Sequence, residues 1–333
     1  MVSGCGCGFA VAHMNVLVGD IGGTKTLLQI ASLDGGEFRA SHEVRFESRA
    51  WSQFVPLLAE FLRTAPLPIP ELACFAVAGP VEGTKARLTN LPWTDLDGES
   101  LAHHFGLRRV LVINDFTAVG FGIAGLGATD LATLQTGQER LHAPRAVLGA
   151  GTGLGQGILV WVNGRYEPLE SEGGHVDFAP LDDEQEQLLR FLGDRYAHVS
   201  YERLLSGSGL VEIYHFLCCS MGAGKNPALE DAAAISAAAL GASDPLAVHT
   251  LRMFARIYGQ QAGNLALTCL ARGGVYVAGG IASHILPFLK DGEFIRSFRA
   301  KGRMERLLRE MPVRVVLNHR VGLIGAAIAA SRL

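Results

Sequence analysis

The feature that most constrains this fold is a pair of similar hairpin patterns, one near the start of the chain and one near its middle. In each pattern an apolar strand runs into a glycine-rich turn, and a second apolar strand and another turn follow. The first copy spans residues 16–36 and the second spans residues 146–164. A duplicated pattern indicates two domains built on one plan, which suits a chain of 333 residues at about 150 residues per domain.

Three further apolar runs have the length of strands. They cover Cys74–Ala78, Val110–Ile113 and Val275–Ala278. Continuous apolar runs, rather than alternating ones, are typical of a parallel sheet that is covered on both faces. With helical segments between them, these runs predict an α/β fold.

Helices are predicted from spacing and from end signals. Apolar residues recur at helical intervals over 51–63, and prolines follow. Asp244 before Pro245 has the residue types of an N-cap and a first helical position, which predicts a long helix over 245–271. The small apolar residues of 322–330 predict a closely packed, buried helix.

Composition and charge narrow the class of ligand. The formal net charge is −3, which provides no electrostatic footprint for nucleic acid or an anionic membrane surface. The chain contains neither a secretory signal pattern nor an apolar run long enough for a transmembrane helix, and its six cysteines have no disulfide-framework spacing. These observations predict a cytoplasmic protein that acts on small molecules.

The first glycine-rich turn is a candidate phosphate site. Glycines let several backbone N–H groups converge on one anion, and an aspartate beside them suits a magnesium ion or its water ligands. A plain hairpin turn is the alternative, and a Walker A loop is excluded because Thr24 stands where that motif needs glycine. The residues of this loop are Gly19, Asp20, Ile21, Gly22, Gly23 and Thr24.

The second glycine-rich turn lies at 149–155 and does not match the dinucleotide motif GxGxxG in any register. Its position in the repeated pattern makes it a second candidate phosphate loop.

Asn114 and Asp115 directly follow the apolar strand at 110–113. That position is the carboxyl end of a sheet strand, where α/β folds bind their ligands. An aspartate there can accept a proton from a hydroxyl nucleophile. A turn or helix N-cap residue is the alternative interpretation.

A third group of polar residues combines carboxylates and an imidazole around two glycines. Glu172 and His175 could recognise sugar hydroxyls, although a solvated loop would have the same composition. A metal site at this pair would lack a third ligand nearby. Glu202 follows a predicted turn and, by itself, has the character of a carboxylate at a helix start.

Taken together, these segments resemble the bacterial glucokinase family of the sugar-kinase and actin-like ATPase superfamily. The resemblance extends from Met14 to the C-terminus. The segments that carry it are Gly19–Thr24, Val77–Pro80, Thr89–Trp93, Ile113–Phe116, Gly149–Gly155, Glu172–Phe178, Glu202–Gly207 and Gly279–Gly280.

The resemblance implies a two-domain, actin-like ATPase (ribonuclease H-like) α/β fold with a cleft between the domains. The corresponding domain prediction is a flexible N-terminal extension at 1–14, a small α/β domain at 15–125 plus 316–333, and a large α/β domain at 126–315.

The resemblance also implies an ATP-dependent glucokinase that phosphorylates the C6 hydroxyl of glucose, with Asp115 as the catalytic base and a homodimeric assembly. ATP with Mg²⁺ would bind the Gly19–Thr24 loop together with Gly151, Thr152, Gly153, Gly279 and Gly280. Glucose would be bound by Asn90, Asn114, Asp115, Glu172, His175 and Glu202.

The sequence departs from the family pattern at two places. Lys25 occupies a position where many relatives have asparagine, and residues 1–13 precede the family's usual start. The cysteine-rich zinc motif of the related repressor, open-reading-frame and kinase group does not follow His175, which argues against a metal-stabilised sugar site.

The alternatives to a glucokinase are a kinase for another hexose such as mannose, fructose or N-acetylmannosamine, a sugar-responsive regulator, and an ATPase that acts without sugar. A regulator would need a helix-turn-helix segment before the first strand, where only about fifteen residues stand. The choice between ATP and polyphosphate as donor is open at this level.

Overall fold

The structure is a computed structural model that describes residues 14–34, 37–88, 91–224 and 226–333. The predicted extension at 1–14 therefore lies outside the described residues, with the exception of Met14. Met14 is the first residue of a strand that is paired with a neighbouring strand. The first strand thus begins one residue earlier than predicted, because Met14 is already in register with Leu33.

The described residues form fourteen strands and twelve α-helices. The strands are β1 (Met14–Ile21), β2 (Lys25–Asp34), β3 (Glu37–Glu47), β4 (Leu72–Val77), β5 (Val81–Glu82), β6 (Lys85–Ala86), β7 (Leu96–Asp97), β8 (Arg109–Asn114), β9 (Leu131–Gln135), β10 (Arg145–Ala150), β11 (Leu154–Val162), β12 (Arg165–Ser171), β13 (Val275–Ala278) and β14 (Val313–Val316). The helices are α1 (Phe54–Thr64), α2 (Gly98–Phe105), α3 (Asp115–Gly122), α4 (Asp183–Gly193), α5 (Gly207–Ser220), α6 (Ala232–Leu240), α7 (Pro245–Cys269), α8 (Gly280–His284), α9 (Leu286–Lys290), α10 (Glu293–Arg299), α11 (Glu305–Glu310) and α12 (Val321–Ala330).

The chain divides into two compact units. Unit 1 consists of the described residues up to Leu126 together with Arg320–Leu333, and unit 2 is Gly127–His319. The main sheet of unit 1 has the order β3-β2-β1-β4-β8, and that of unit 2 has the order β12-β11-β10-β13-β14-β9. In both sheets an antiparallel three-strand meander is followed by two strands parallel to its first member. The predicted repeat is therefore confirmed at the level of strand pairing, with β9 as an additional edge strand.

The sheet of unit 1 is covered on both faces, as its apolar runs predict. Along β1, Leu17 and Ile21 belong to a core cluster that contains Phe54 of α1. Val16 and Val18 point to the other face and belong to a cluster with residues of α12. The alternation places successive side chains of one buried strand in two different cores.

Two predicted helices differ from the structure at their ends. The helix expected over 51–63 begins only at Phe54, because the carbonyl of Trp51 accepts a hydrogen bond from the indole of Trp93 at 2.8 Å in extended backbone. The helix expected over 245–271 begins as predicted, with the Asp244 carboxylate accepting the N–H of Ala247, but it ends at Cys269. Leu270 ends it by adopting a left-handed conformation.

The C-terminal helix α12 is almost wholly buried, as predicted from its small residues. None of the helices in the described residues is both long enough and apolar enough to cross a membrane.

Helices α3 and α12 pack closely through glycine. A Cβ atom at Gly325 would overlap the carbonyl oxygen of Ala118, and one at Gly122 would overlap the carbonyl oxygen of Val321. Backbone cannot move aside as the end of a flexible side chain can. The two helices can therefore hold this separation only with glycine at both positions.

We expect Gly325→Ala to destabilise the protein by at least about 2 kcal/mol, because the new methyl group would push the two helices apart in a packed core. Gly193→Ala is the matched control, since Gly193 is also helical and its Cβ would meet no atom within 4 Å. Chemical denaturation measures both effects. Equal stability of the two variants would contradict the close-packing argument.

Candidate functional site

The first glycine loop joins β1 to β2 and is held from behind by a buried serine. Gly22 donates its N–H to the carbonyl of Lys25 at 2.9 Å. The Ser48 hydroxyl donates to the carbonyl of Gly22 at 2.8 Å, and the N–H of Ser48 donates to the carbonyl of Thr24 at 2.9 Å. Ser48 is fully buried. The sequence analysis did not identify it, because its sequence position is remote from the loop.

Asp20 and Asp115 lie near one edge of the same sheet. Asp20 of β1 is in register with Ala76 of β4, which is in register with Ile113 of β8. These strands are parallel, so Asp115, which follows β8 directly, comes near Asp20 at the carboxyl edge. The sequence placed the two residues in separate motifs, and strand pairing brings them together.

The surroundings of Asp20 disfavour its ionised form. Burial is the larger cause and the charge of Asp115 the smaller, and together they raise the pKa of its carboxyl group to about 6. An ionised carboxylate at this edge therefore costs folding free energy in the absence of a positive charge. This observation indicates a place where a cation would be favourable.

Asn114 has the structural role that the sequence analysis gave as the alternative. Its side-chain oxygen accepts the N–H groups of Phe116 and Thr117 at the start of α3. Its side-chain nitrogen donates one hydrogen to the carbonyl of Gly79 at 3.2 Å. Asn114 is thus the N-cap of α3, and its second amide hydrogen is left for a ligand.

The second glycine loop joins β10 to β11 and is tied to α5. Gly151 donates to the carbonyl of Gly153 at 2.8 Å and accepts from the N–H of Gly207 at 2.9 Å. Thr152 is exposed at its tip. A Cβ at Gly151 would meet no atom within 4 Å, so the backbone here is accessible.

Glu202 lies directly against this loop. One oxygen of its carboxylate accepts the N–H of Leu154 at 3.0 Å, and a Cβ at Gly153 would overlap that same oxygen. The other oxygen lies 3.8 Å from Nδ1 of His175, whose Nε2 lies 3.8 Å from a carboxylate oxygen of Glu172. The structure therefore brings Glu172, His175 and Glu202 together beside the second loop, which sequence spacing alone did not predict for Glu202.

The strand ends beneath the second loop are joined by Tyr258 of α7. Its buried hydroxyl accepts the N–H of Ala150 at 2.9 Å and lies 3.2 Å from the carbonyl of Ala278, to which it donates. Tyr258 therefore links β10 and β13 at the points where each strand enters its glycine turn. Sequence analysis missed this residue because it is one apolar-face position among many on a long helix.

Gly279 follows β13 with φ 87°, in the left-handed region, and a Cβ there would overlap the carbonyl oxygen of Ala150. A side chain at Gly279 is therefore excluded both by conformation and by space. Gly280 begins α8.

Asn90 lies outside the described residues. Among the described residues, no group of three or more His, Cys, Asp or Glu side chains is arranged to hold a metal ion by itself.

We expect Asp20→Asn to stabilise the ligand-free protein at neutral pH by roughly 1–3 kcal/mol. The pKa of Asp20 is raised in the folded state from 3.8 to about 6, so the folded protein binds this proton more tightly than the unfolded chain. Stability therefore falls as the pH rises through that interval, and asparagine avoids the loss. The increase in the free energy of unfolding caused by Asp20→Asn should be complete above pH 6 and absent below pH 4. Denaturation across a pH series measures it.

Asp115→Asn supplies the comparison for this test. Because this substitution removes the second cause of the raised pKa of Asp20, it should lower that pKa. The pH range over which Asp20→Asn gains stability should then shift to lower pH. A stabilising effect of Asp20→Asn that is the same at pH 4 and pH 8 would contradict the assignment.

Comparison with known proteins identifies the family of this chain. The sequence model of the family described as Glucokinase matches residues 17–333. A curated glucokinase of Nostoc sp. is 45% identical over 340 residues, covering 96% of this chain and 99% of the relative.

Solved structures show the same fold. The crystal structure of a glucokinase from an Antarctic psychrotroph matches with a TM-score of 0.86 at 32% identity, covering 96% of this chain and 99% of the other. A glucokinase of the ROK family from Streptomyces griseus, solved in complex with glucose and AMPPNP, matches with a TM-score of 0.65 at 23% identity, covering 96% of this chain and all of the other. The two-unit α/β structure is thus the actin-like ATPase fold of sugar kinases, and the chain belongs to the glucokinase family, as an enzyme that phosphorylates glucose.

Proposed function

We propose that the enzyme transfers the γ-phosphoryl group of ATP to the C6 hydroxyl of glucose, with Asp115 as the catalytic base. The observation that carries this proposal is the pair of carboxylates, Asp20 and Asp115, at the carboxyl edge of the parallel strands of unit 1. A phosphoryl transfer to an alcohol needs a group that accepts the hydroxyl proton and a group that balances phosphate charge. Two neighbouring carboxylates with different surroundings can divide these tasks.

Asp115 suits the role of base because it begins α3. Its carboxylate lies in the first turn of α3, near the partial positive charge of the helix N-terminus. An ionised carboxylate is ready to accept a proton from a hydroxyl group held beside it.

Asp20 suits the neighbourhood of a divalent cation. It adjoins the first glycine loop, its raised pKa indicates a site short of positive charge, and carboxylate oxygens are ligands that Mg²⁺ accepts. We propose that Asp20 holds Mg²⁺ directly or through water and that Asp115 adds negative charge beside it. Mg²⁺, when bound, neutralises negative charge that develops on the phosphates.

We propose that the glycine loops bind ATP through their backbone. Gly22, Gly23 and Thr24 form the first loop, and Gly151, Thr152 and Gly153 form the second. Gly151 donates its own N–H within the second loop, so we expect the exposed Thr152 at the tip to provide the phosphate contact there. Gly279 and Gly280 are proposed to lie near the adenosine, on the end of β13 that Tyr258 fixes.

The proposed glucose ligands are Asn114 and Asp115 of unit 1 and Glu172, His175 and Glu202 of unit 2, with Asn90 beyond the described residues. The Glu202 carboxylate supports this proposal because the N–H of Leu154 fixes it in place while the side chain keeps partial exposure. A carboxylate held by the protein can accept hydrogen bonds from sugar hydroxyls with little further ordering.

The family resemblance also supports a homodimer that acts in the cytoplasm, where ATP is available. Light scattering on the purified chain tests the assembly state, and a monomer at micromolar concentration would contradict it.

We expect Asp115→Asn to lower kcat by about 10²-fold or more, with a smaller change in the Kd for glucose, because asparagine keeps the shape but cannot take a proton. The matched control is Asp95→Asn, an exposed aspartate in the same unit. A coupled ADP-release assay and glucose titration measure the two constants. Near-normal kcat in Asp115→Asn would remove Asp115 from the role of base.

We also expect glucose to exceed mannose and galactose in kcat/KM by roughly 5-fold to 150-fold, since an epimer leaves a polar group that the bound sugar covers without its hydrogen-bond partner, at about 1–3 kcal/mol. Glu202→Gln should narrow this ratio, and Glu186→Gln on exposed α4 should not. Equal kcat/KM for the three sugars in the unaltered enzyme would show that these residues do not distinguish the hydroxyls of the sugar.

A further inference from the structure

A cavity of about 690 Å³ lies in unit 2 beside the edge strand β9. Its walls come from β9, α9, α10 and α11, none of which carries a residue assigned above to glucose or ATP. The volume falls within the range of about 300–1,000 Å³ that is usual for small-molecule sites.

The cavity is strongly basic although the chain as a whole carries a net charge of −3. Its lining includes four cationic side chains and one carboxylate: Lys290, Arg296, Arg299, Arg309 and Glu305. A concentration of cations in a concave surface raises the local concentration of anions and favours their entry.

The protein holds Arg299 in place through one nitrogen of its guanidinium group, and the other two nitrogens remain available to a ligand. Its Nε donates to the side-chain oxygen of Gln135 at 2.5 Å. Gln135 is buried, and its nitrogen donates to the carbonyls of Leu308 and Met311 at 2.7 and 2.5 Å. The two terminal nitrogens of Arg299 have no hydrogen-bond partner among the described residues. The cost of ordering this side chain is therefore met on folding rather than on ligand binding.

The cationic side chains of the cavity differ in whether a carboxylate of the protein already pairs with them. Arg309 pairs with Glu305, and Arg296 pairs with Glu293. Within the part of the chain that the structure describes, Lys290 and Arg299 have no carboxylate within 4.0 Å. Burial, and after it the positive charge of Arg309, lower the pKa of Arg299, and the carboxylate of Glu305 opposes this shift only in part. The charge of Arg299 is therefore incompletely balanced in the cavity.

The cavity has an apolar floor, formed by the partly exposed side chains of Leu134 in β9 and Ile295 in α10. Leu289 of α9 also borders the cavity, but its side chain is fully buried. Inorganic phosphate would leave this floor in contact with water. A ligand with both an anionic group and an apolar or ring-shaped body would use both parts of the surface.

We propose that this cavity binds a small phosphate monoester, with the phosphate on Arg299 and Lys290 and the organic body on Leu134 and Ile295. Phosphate is favoured over a single carboxylate because it is a dianion at neutral pH and can accept hydrogen bonds from a guanidinium fork and an ammonium group together. This inference does not depend on the proposed glucose and ATP residues.

Titration calorimetry of the intact chain with phenyl phosphate, and separately with inorganic phosphate, tests the proposal. We expect one site per chain, tighter binding of phenyl phosphate, and weaker binding at higher salt. The titrations are repeated with AMPPNP present, so that anions bound at the glycine loops are displaced and only the cavity contributes.

Three variants locate the site. Arg299→Gln and Lys290→Gln should each raise the Kd for phenyl phosphate by about tenfold or more, since each removes a charge-assisted contact. Lys290 makes no hydrogen bond or ion pair within the described residues, so its variant tests the site even if Arg299→Gln fails to fold. Arg306→Gln, an exposed arginine of α11 outside the cavity lining, should leave the Kd unchanged.

The proposal is overturned if phenyl phosphate does not bind, or if all three variants bind it equally. Equal affinity for phenyl phosphate and inorganic phosphate would overturn the assignment of the organic body to the apolar floor.

Discussion

The costly placement of one carboxylate, Asp20, explains much of the architecture of unit 1. Asp20 lies at a buried sheet edge beside Asp115, where both burial and like charge oppose its ionisation. The N-terminal end of α12 offsets part of this cost. A Cβ at Gly322 in the first turn of α12 would lie 3.9 Å from an oxygen of Asp20, so the positive end of that helix is near the carboxylate. The glycines Gly122 and Gly325, which allow α12 to approach α3, thus also help to determine the electrostatic surroundings of Asp20.

The two units share a strand plan but use it for different chemistry. In unit 1 the strand before the first loop contributes an acidic side chain, Asp20, to the site. In unit 2 the end of β10 next to the second loop has no ionisable side chain, and the carboxylate comes from Glu202, a residue far along the chain that the N–H of Leu154 holds in place. A duplicated backbone therefore fixes where the loops lie, while the charge at each loop depends on residues outside the repeat.

Local signals in the sequence predict the strands and helices, but they do not predict contacts between segments that are distant in the sequence. The hairpins, the apolar strands and the start of α7 at Asp244 all depend on neighbouring residues, and the structure confirms them. Ser48 behind the first loop and Tyr258 beneath the second depend on hydrogen bonds across many residues, and nothing near them in the sequence marks that role. The start of α1 shows the same limit, since the carbonyl of Trp51 accepts its hydrogen bond from the indole of Trp93, which is distant in the sequence.

Unit 2 has two surfaces suited to anions, and they differ in the interaction that would attract the anion. The second glycine loop presents backbone N–H groups, whose hydrogen bonds act only over a short range and require an anion that is already in place. The cavity beside β9 presents side-chain charge, which attracts anions over about 8 Å at physiological salt and weakens as salt rises. Because the backbone groups do not titrate and carry no net charge, the loop can select a phosphate by position without also attracting other anions to the site. Because Arg299 and Lys290 act through charge, the proposed selectivity of the cavity depends on its apolar floor, where Leu134 and Ile295 would distinguish an organic phosphate from the inorganic ion.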